Sequence, residues 1–232
     1  MNEVDFLLDT DTLLRVGGQL GSNPAGIFQD GQGRRYYVKS PESPAHARNE
    51  MIAAKLYRLA GAPTLPYVST MAPDRVATAW VDLDKKCVAH LSENERKQAQ
   101  HWFGVHAWTA NWDAAGYHGD NQGVANGIVL TLDVGGALAF RAQGDPKGKA
   151  FGTQVDELDV LRTDQGNPHA AKLFAGMNPD DIERAVKVVL GISDERIVET
   201  ILSASGTRAL ADKMLARKAD MARRLTVDFS AG

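Results

Sequence analysis

Cysteine is almost missing from this chain: Cys87 is the only one in 232 residues. Its solitude excludes an intrachain disulfide and any cysteine-built zinc site, fits a reducing compartment, and leaves Cys87 to read as a packed thiol. Net charge is equally scarce. Against 29 acidic residues stand 26 basic ones, a balance of −3, so no global attraction draws the chain to nucleic acid or to an anionic membrane. No apolar stretch approaches the roughly 20 residues of a membrane helix. Residues 1–14, acidic and without a long apolar run, are not expected to form a Sec-type signal peptide. His-x-x-x-His and Glu-flanked zinc motifs are missing, so His101, His106, His118 and Asp120 do not add up to a zinc hydrolase. Ser22 lacks the Gly-x-Ser-x-Gly setting of a nucleophile elbow. These absences leave a soluble globular protein with no repeat and no low-complexity tract.

What is present begins with turn signals between short apolar and aromatic runs. Thr12–Val16, the glycine-rich segment Gly17–Gly26 and Gly26–Gln29 lead to Asp30-Gly31-Gln32-Gly33 and then Arg35–Lys39. Asp-Gly between two such runs predicts an antiparallel hairpin, which would put the glycine-rich turn and Lys39 on one sheet. A helix is predicted over about Ala45–Leu59, stopped by Gly61 and Pro63. A strand pair, Tyr67–Met71 and Arg75–Val81, comes next, and Asp82–Ser92 is expected to connect two lobes. Ser92-Glu93-Asn94-Glu95 is a capping box. Ala99, Trp102, Phe103, His106, Ala107 and Ala110 recur at helical spacing, predicting one helix to about Ala110 that delivers Asn111-Trp112-Asp113 into a loop, with His106 a core histidine on its apolar face. Val124 and Ile128–Leu132 predict a hairpin around Ala125-Asn126-Gly127. Helices about Asp180–Leu190, Asp194–Ser203 and Arg208–Leu225 follow, the first opened by Asn178 with Pro179 at its first position. Strands first and helices later predict an α+β chain: a small β-rich lobe over 1–82 and a larger helical lobe over 83–232.

Five residues behind the glycine-rich turn stand in the order that phosphoryl transfer requires: Lys39, Glu50, Asp113, Asn121 and Asp133. Such chemistry needs donors around the phosphates, cation ligands and an acceptor for the nucleophile's proton. Gly17–Gly26 can bring backbone N–H groups close to phosphate. Gly21-Ser22-Asn23-Pro24-Ala25-Gly26 has Walker A glycine spacing, but Ile27-Phe28 stands where Lys-Ser/Thr is required, which disfavours that NTPase class. Lys39 can hold phosphate oxygens, and Glu50, on the predicted helix, can hold Lys39. Asn121 and Asp133 offer the hard oxygens that Mg²⁺ prefers, and Asp113 can accept a hydroxyl proton. Each piece also has an ordinary use in turns, caps or surface charge. Their order is what sets them apart.

Gly21-Ser22-Asn23-Pro24-Ala25-Gly26, Tyr36-Tyr37-Val38-Lys39, Ala47-Arg48-Asn49-Glu50, Asn111-Trp112-Asp113, Asp120-Asn121 and Leu132-Asp133-Val134-Gly135-Gly136 together resemble kinase-like domains of bacteria and phages. Such domains stand alone, at the ends of phage head-morphogenesis proteins and among effector and toxin kinases, with a fold akin to HipA-type toxin kinases and phosphatidylinositol kinases. The resemblance covers about Val16–Met177. It implies a two-lobed protein-kinase-like fold using ATP and Mg²⁺, with Lys39, Glu50 and Asp113 catalytic, Gly21, Ser22, Asn23, Gly26, Lys39 and Trp80 at the nucleotide, and Asn121 and Asp133 at the metal. It further implies a protein substrate and a cytoplasmic setting in a bacterium or phage-infected cell, with delivery into a host cell open. In the phosphatidylinositol-kinase pattern Arg-His follows the catalytic Asp, and the Asn comes five residues after it. Here no Arg-His follows Asp113 and the interval to Asn121 is eight. The base is therefore Asp113, which we favour, or Asp120. An inert interaction module, an AMP transferase of the same fold and a small-molecule phosphotransferase or NTPase are the competing readings.

Overall fold

A computed structural model describes residues 7–21 and 24–228, without the side chains of 227 and 228. A 3-10 turn over Thr10–Thr12, capped by Asp9, precedes strand β1 (Leu14–Gly17), so the strand expected from Thr12 begins later. Strands β2 (Ala25–Gln29) and β3 (Arg35–Lys39) form the expected hairpin, with Ala25 opposite Lys39. Its turn is built by Asp30, whose Oδ1 accepts from the N–H groups of Gln32 and Arg34, both at 2.9 Å. Helix α1 (Pro44–Ala60) starts at the Ser43 cap and ends at Gly61, where φ is +79°. Strands β4 (Tyr67–Val68) and β5 (Val76–Ala79) complete a five-stranded sheet of order β1-β2-β3-β5-β4, antiparallel throughout.

The stretch Asp82–Ser92 is more than a connection. Strand β6 (Lys85–Lys86) lies within it and pairs with β7 (Gln122–Ala125), which forms the expected hairpin with β8 (Ile128–Thr131). The single helix predicted from Ser92 to Ala110 is broken. Helix α2 (Glu93–His101) begins in the capping box, the helical run is interrupted at Trp102, and helix α3 (Phe103–Trp108) follows. Just beyond the break Gly104 meets the backbone of a later helix so closely that a Cβ would lie 2.2 Å from the Ala185 carbonyl oxygen. Periodicity reports which residues are apolar, not where an axis must tilt. Two seven-residue helices that were not predicted, α4 (Glu157–Thr163) and α5 (Pro168–Phe174), precede α6 (Pro179–Leu190), α7 (Asp194–Ser203) and α8 (Arg208–Asp228).

The architecture is mixed α+β, a β-sheet region first and a larger helical region after it. Two cores correspond to this. A small one under the first sheet gathers Leu8, Tyr36, Val38 and Ala77. The large one joins the later helices and also takes in Ile52, Leu56 and Tyr57 of α1. Among the described residues no helix is long and apolar enough to cross a membrane.

Arg217 on α8 locks the large core. It is fully buried, and all five of its N–H groups have acceptors. Nε donates to Trp108 O (2.7 Å), one terminal nitrogen to Ala107 O (2.8 Å) and Glu157 Oε2 (2.7 Å), the other to Gly152 O and Gln154 O (both 2.9 Å). Two of these carbonyls end α3, where unpaired oxygens and the helix dipole favour a cation. Arg217→Met would leave Glu157 charged and unpaired in the core, and is expected to cost about 3–5 kcal/mol, read as a lower urea midpoint. Arg208→Ala, which breaks an exposed pair with Asp212, should cost under about 1 kcal/mol. Equal midpoints for the two variants would count against this account.

Candidate active site

Lys39 ends β3 at the edge between the two cores, and its side chain is only 10 % exposed. A lone ammonium there would be costly, and two carboxylates answer it. Nζ lies 2.5 Å from Glu50 Oε1 and 3.2 Å from each Asp133 oxygen. Burial works against the charge on Lys39, but Asp133 and Glu50 outweigh it and hold the amine above its usual range. Burial pushes the Glu50 carboxyl up, against the pull of Lys39. We read the pair as ionised, since a 2.5 Å contact with an ammonium favours the carboxylate. The Tyr67 hydroxyl donates to the same oxygen, Glu50 Oε1, at 2.9 Å and helps to hold it in place.

Asp113 and Asn121 form a second group. The Asn121 amide donates to both the main-chain oxygen and Oδ2 of Asp113, each at 2.8 Å. The eight-residue interval between them is thus a loop closed by the two residues themselves. Asn111 prepares the bend: its Oδ1 accepts from the Asp113 N–H (3.2 Å), and its amide donates to the buried Tyr57 hydroxyl (2.9 Å). That hydroxyl also shares a 2.8 Å hydrogen bond with Nδ1 of His106, which is buried as expected. Burial pushes Asp113 up to about 6, the charges of Asp133 and Asp120 push the same way, and the Asn121 hydrogen bond and Lys147 oppose them.

The β7–β8 hairpin brings the groups together. Its Gln122↔Thr131 register continues one residue on, where Leu132 N–H donates to Asn121 O at 2.9 Å, so Asn121 and Asp133 emerge at the same open end. The glycines after Asp133 supply room. A Cβ on Gly135 would lie 2.9 Å from Glu50 Oε2 and 3.0 Å from Asp133 Oδ1, and one on Gly136 would lie 3.1 Å from Asp113 Cβ. Gly135 N–H also donates to Asp133 Oδ1 at 2.7 Å. Asp133 remains 39 % exposed, which leaves its carboxylate open to a ligand.

The other expected residues lie apart from this cluster in their contacts. Ser22 and Asn23 fall outside the described residues. Gly21 is exposed, and Gly26 is buried in β2 beside Arg15, which ties the loop ends by donating to Gly17 O (3.2 Å) and Ala25 O (3.1 Å). Leu20 N–H donates to the Tyr37 hydroxyl at 2.9 Å. Trp80 is half-buried, with its indole N–H on Asp82 (2.7 Å) and the Arg35 guanidinium 5.1 Å from its ring centre. Asp120 packs against Gly116 and reaches Asp113 through its charge.

Sequence reasoning missed three residues that support the site. In the sequence Tyr67 reads only as a strand residue. Asn49 was read only as a neighbour of Glu50, yet it donates to Ala137 O (2.9 Å) and accepts from Ala139 N–H (3.0 Å). Its place one residue before Glu50 on a helix buried on most sides is the signal that could have found it. Lys147, in a loop without periodicity, carried none.

No protein-family model matches the chain, and no curated protein matches it. Solved structures do, over nearly its whole length. CtkA, a proinflammatory kinase of Helicobacter pylori, superposes with a TM-score of 0.57 at 14 % identity, over 96 % of this chain and 94 % of its own. An aminoglycoside phosphotransferase of Alicyclobacillus acidocaldarius matches with a TM-score of 0.37 at 15 % identity, over 91 % of this chain and 93 % of its own. The macrolide 2'-phosphotransferase MphH of Brachybacterium faecium matches with a TM-score of 0.38 at 11 % identity, over 90 % and 93 %. The last two scores are too low to add to the assignment. At 14 % identity the likeness to CtkA speaks for fold alone: this chain shares the fold of that kinase.

Proposed function

We propose that the chain is an ATP-dependent kinase-like phosphotransferase that binds Mg-ATP between a smaller lobe, 1–82, and a larger one, 83–232, and passes the γ-phosphoryl group to a protein hydroxyl. One observation carries the reading. Lys39 meets both Glu50 and Asp133, the latter 94 residues away, while Asp113, held by Asn121, bears on Asp133 through its charge. The motif order shared with HipA-type and phosphatidylinositol kinases points the same way.

Asn121 and Asp133 would hold the magnesium. No group of three or more His, Cys, Asp or Glu side chains among the described residues could hold a metal ion. Two hard-oxygen ligands are what Mg²⁺ uses when phosphates and water complete its shell. The repulsion of Asp113 by Asp133 is what a cation between them would relieve. When bound, the ion neutralises charge that develops on the phosphates. Lys39 would grip phosphate oxygens while Glu50, fixed by Tyr67, keeps the ammonium aimed. Gly21, Ser22, Asn23, Gly26 and Trp80 would complete the nucleotide site. Asp113 would take the proton of the acceptor hydroxyl as that oxygen bonds to the γ-phosphorus and the bond from phosphorus to the ADP oxygen breaks.

Lys39→Ala and Asp133→Ala are each expected to lower transfer on the order of a hundredfold or more, with circular dichroism showing both folded. Glu50, already pushed up by burial, can take a proton once Lys39 is gone. Incubation with labelled ATP tests the reaction class. Label from the γ-phosphate on protein supports the proposal; label from the α-phosphate only, or none, overturns it.

Asp113 gives a test of stability. Its folded value of about 6 lies above the roughly 3.9 of a free carboxyl. The folded state therefore holds that proton more tightly, and stability is lost as pH rises through about 4 to 6. Metal-free Asp113→Asn should be more stable than the parent chain at pH 8 by on the order of 1–3 kcal/mol. The advantage should vanish near pH 4, and transfer should be lost at every pH. A variant less stable at pH 8 would contradict the reading of Asp113 as a strained charge.

A further inference from the structure

Lys147 is 4 % exposed, yet no carboxylate among the described residues lies within ion-pair distance of it. Its three N–H donors go to three main-chain oxygens instead: Ala110 O at 2.6 Å, Gly136 O at 2.7 Å and Leu138 O at 3.0 Å. The Trp112 ring closes the remaining side, with its centre 4.7 Å from Nζ. Burial pushes the amine down to about 7; Glu157 and Asp113 oppose that shift, while Arg217 and Arg141 add to it. An ammonium in this place has to be explained by what it holds.

What it holds are the two loops that carry the proposed base and metal ligand. Ala110 precedes Asp113 by three residues, and Gly136 and Leu138 follow Asp133 by three and five. Ala110 and Leu138 are both in the left-handed region, at φ +51° and +56°, where a side chain is disfavoured. Such backbone persists only where surrounding contacts over-determine it. Here they do. Lys147 takes the carbonyls of residues 136 and 138, Asn49 takes the carbonyl of 137 and the N–H of 139 from the other side, and Leu138 N–H donates to Thr109 O at 2.7 Å.

We propose that Lys147 is a positioning residue for phosphoryl transfer, one ammonium that sets the spacing between the Asp113 loop and the Asp133 loop by gripping main-chain oxygens of both. The inference rests on the function proposed above, but the grip itself can be tested without it. Lys147 is buried and its three donors are taken by main-chain oxygens, so none is left for nucleotide or acceptor. Its loss should therefore misplace the base and the metal ligand together, while Lys39 and the glycine-rich loop keep their hold on ATP.

The experiment compares the parent chain with Lys147→Met, which keeps the length of the side chain without charge or donors. The expected result is a fall in kcat of about 10- to 100-fold with KM for ATP changed less than about threefold, since a misplacement of 1 Å can cost about a hundredfold. Amide hydrogen exchange, followed on the same proteins without ATP, should speed up in 108–114 and 134–140 together and stay unchanged in the β2–β3 hairpin. Lys147→Gln, with two donors and no charge, covers failure of the first variant to fold and should give the same split to a lesser degree. Unchanged exchange in both segments overturns the grip, whatever the activity. Unchanged kcat, with transfer intact in the parent, overturns the positioning role. A parent chain without transfer overturns the proposed function and the positioning role with it, leaving exchange to judge the grip alone.

Discussion

The Lys39 ammonium is the charge around which the rest is arranged. A β3 residue, a residue of helix α1 and a residue after β8 converge on one buried point, where a cation without partners would be costly. Convergence constrains their neighbours. Gly135 and Gly136 have to be small for the carboxylates of Glu50, Asp133 and Asp113 to pack as they do. A buried ion pair is weak evidence of stabilisation in itself, since its desolvation can match its attraction. Its effect here is geometric: it allows one relative placement of sheet, helix and loop.

Around that pair, the chain repeatedly uses side chains to collect main-chain groups. Arg217 gathers four carbonyls from the end of α3 and the segment before α4, and shares Glu157 with the Trp112 indole, which donates to Glu157 Oε1 at 2.9 Å. Lys147 gathers three more, and Asn49 holds one carbonyl and one N–H. These groups lie in irregular segments or at the end of helix α3, where helix and sheet ladders leave main-chain atoms without partners and burial makes each such orphan expensive. Loops of the candidate site with uncommon backbone geometry thus come to be supported by long polar side chains from distant positions.

That pattern explains what could be read ahead of the structure. The Asp30–Gly33 turn, the Ser92 and Asn178 caps and the Asn126-Gly127 turn are local devices, each contained in a few residues, and they form as expected. The convergence of Lys39 with Glu50 was legible because both belong to predicted elements in a known order. The break at Trp102 was not: the helix just beyond it packs against Ala185, far along the chain. Arg217 and Lys147 were invisible for the same reason: apart from Glu157, their partners are carbonyls, which every residue has. Helix α5 was within reach, since Asn167-Pro168 repeats the opening of α6, but seven residues are too few for a period to declare itself.

Helix α1 follows the sheet strands in sequence, but its packing belongs elsewhere. Ile52, Leu56 and Tyr57 sit in the large core, a Cβ on Gly206 would come within 3.1 Å of Ile52 Cδ1, and the chain just after the helix is pinned where Thr131 N–H donates to Pro63 O at 2.9 Å. Swinging α1 outward would expose those side chains at roughly 1.5–3 kcal/mol apiece. Glu50 is therefore part of the anvil. The five-stranded sheet, with a core of its own and Lys39 at its rim, is the hammer. Moving the sheet relative to α1 would therefore have to part Lys39 from Glu50, across 2.5 Å, as well as from Asp133, across 3.2 Å.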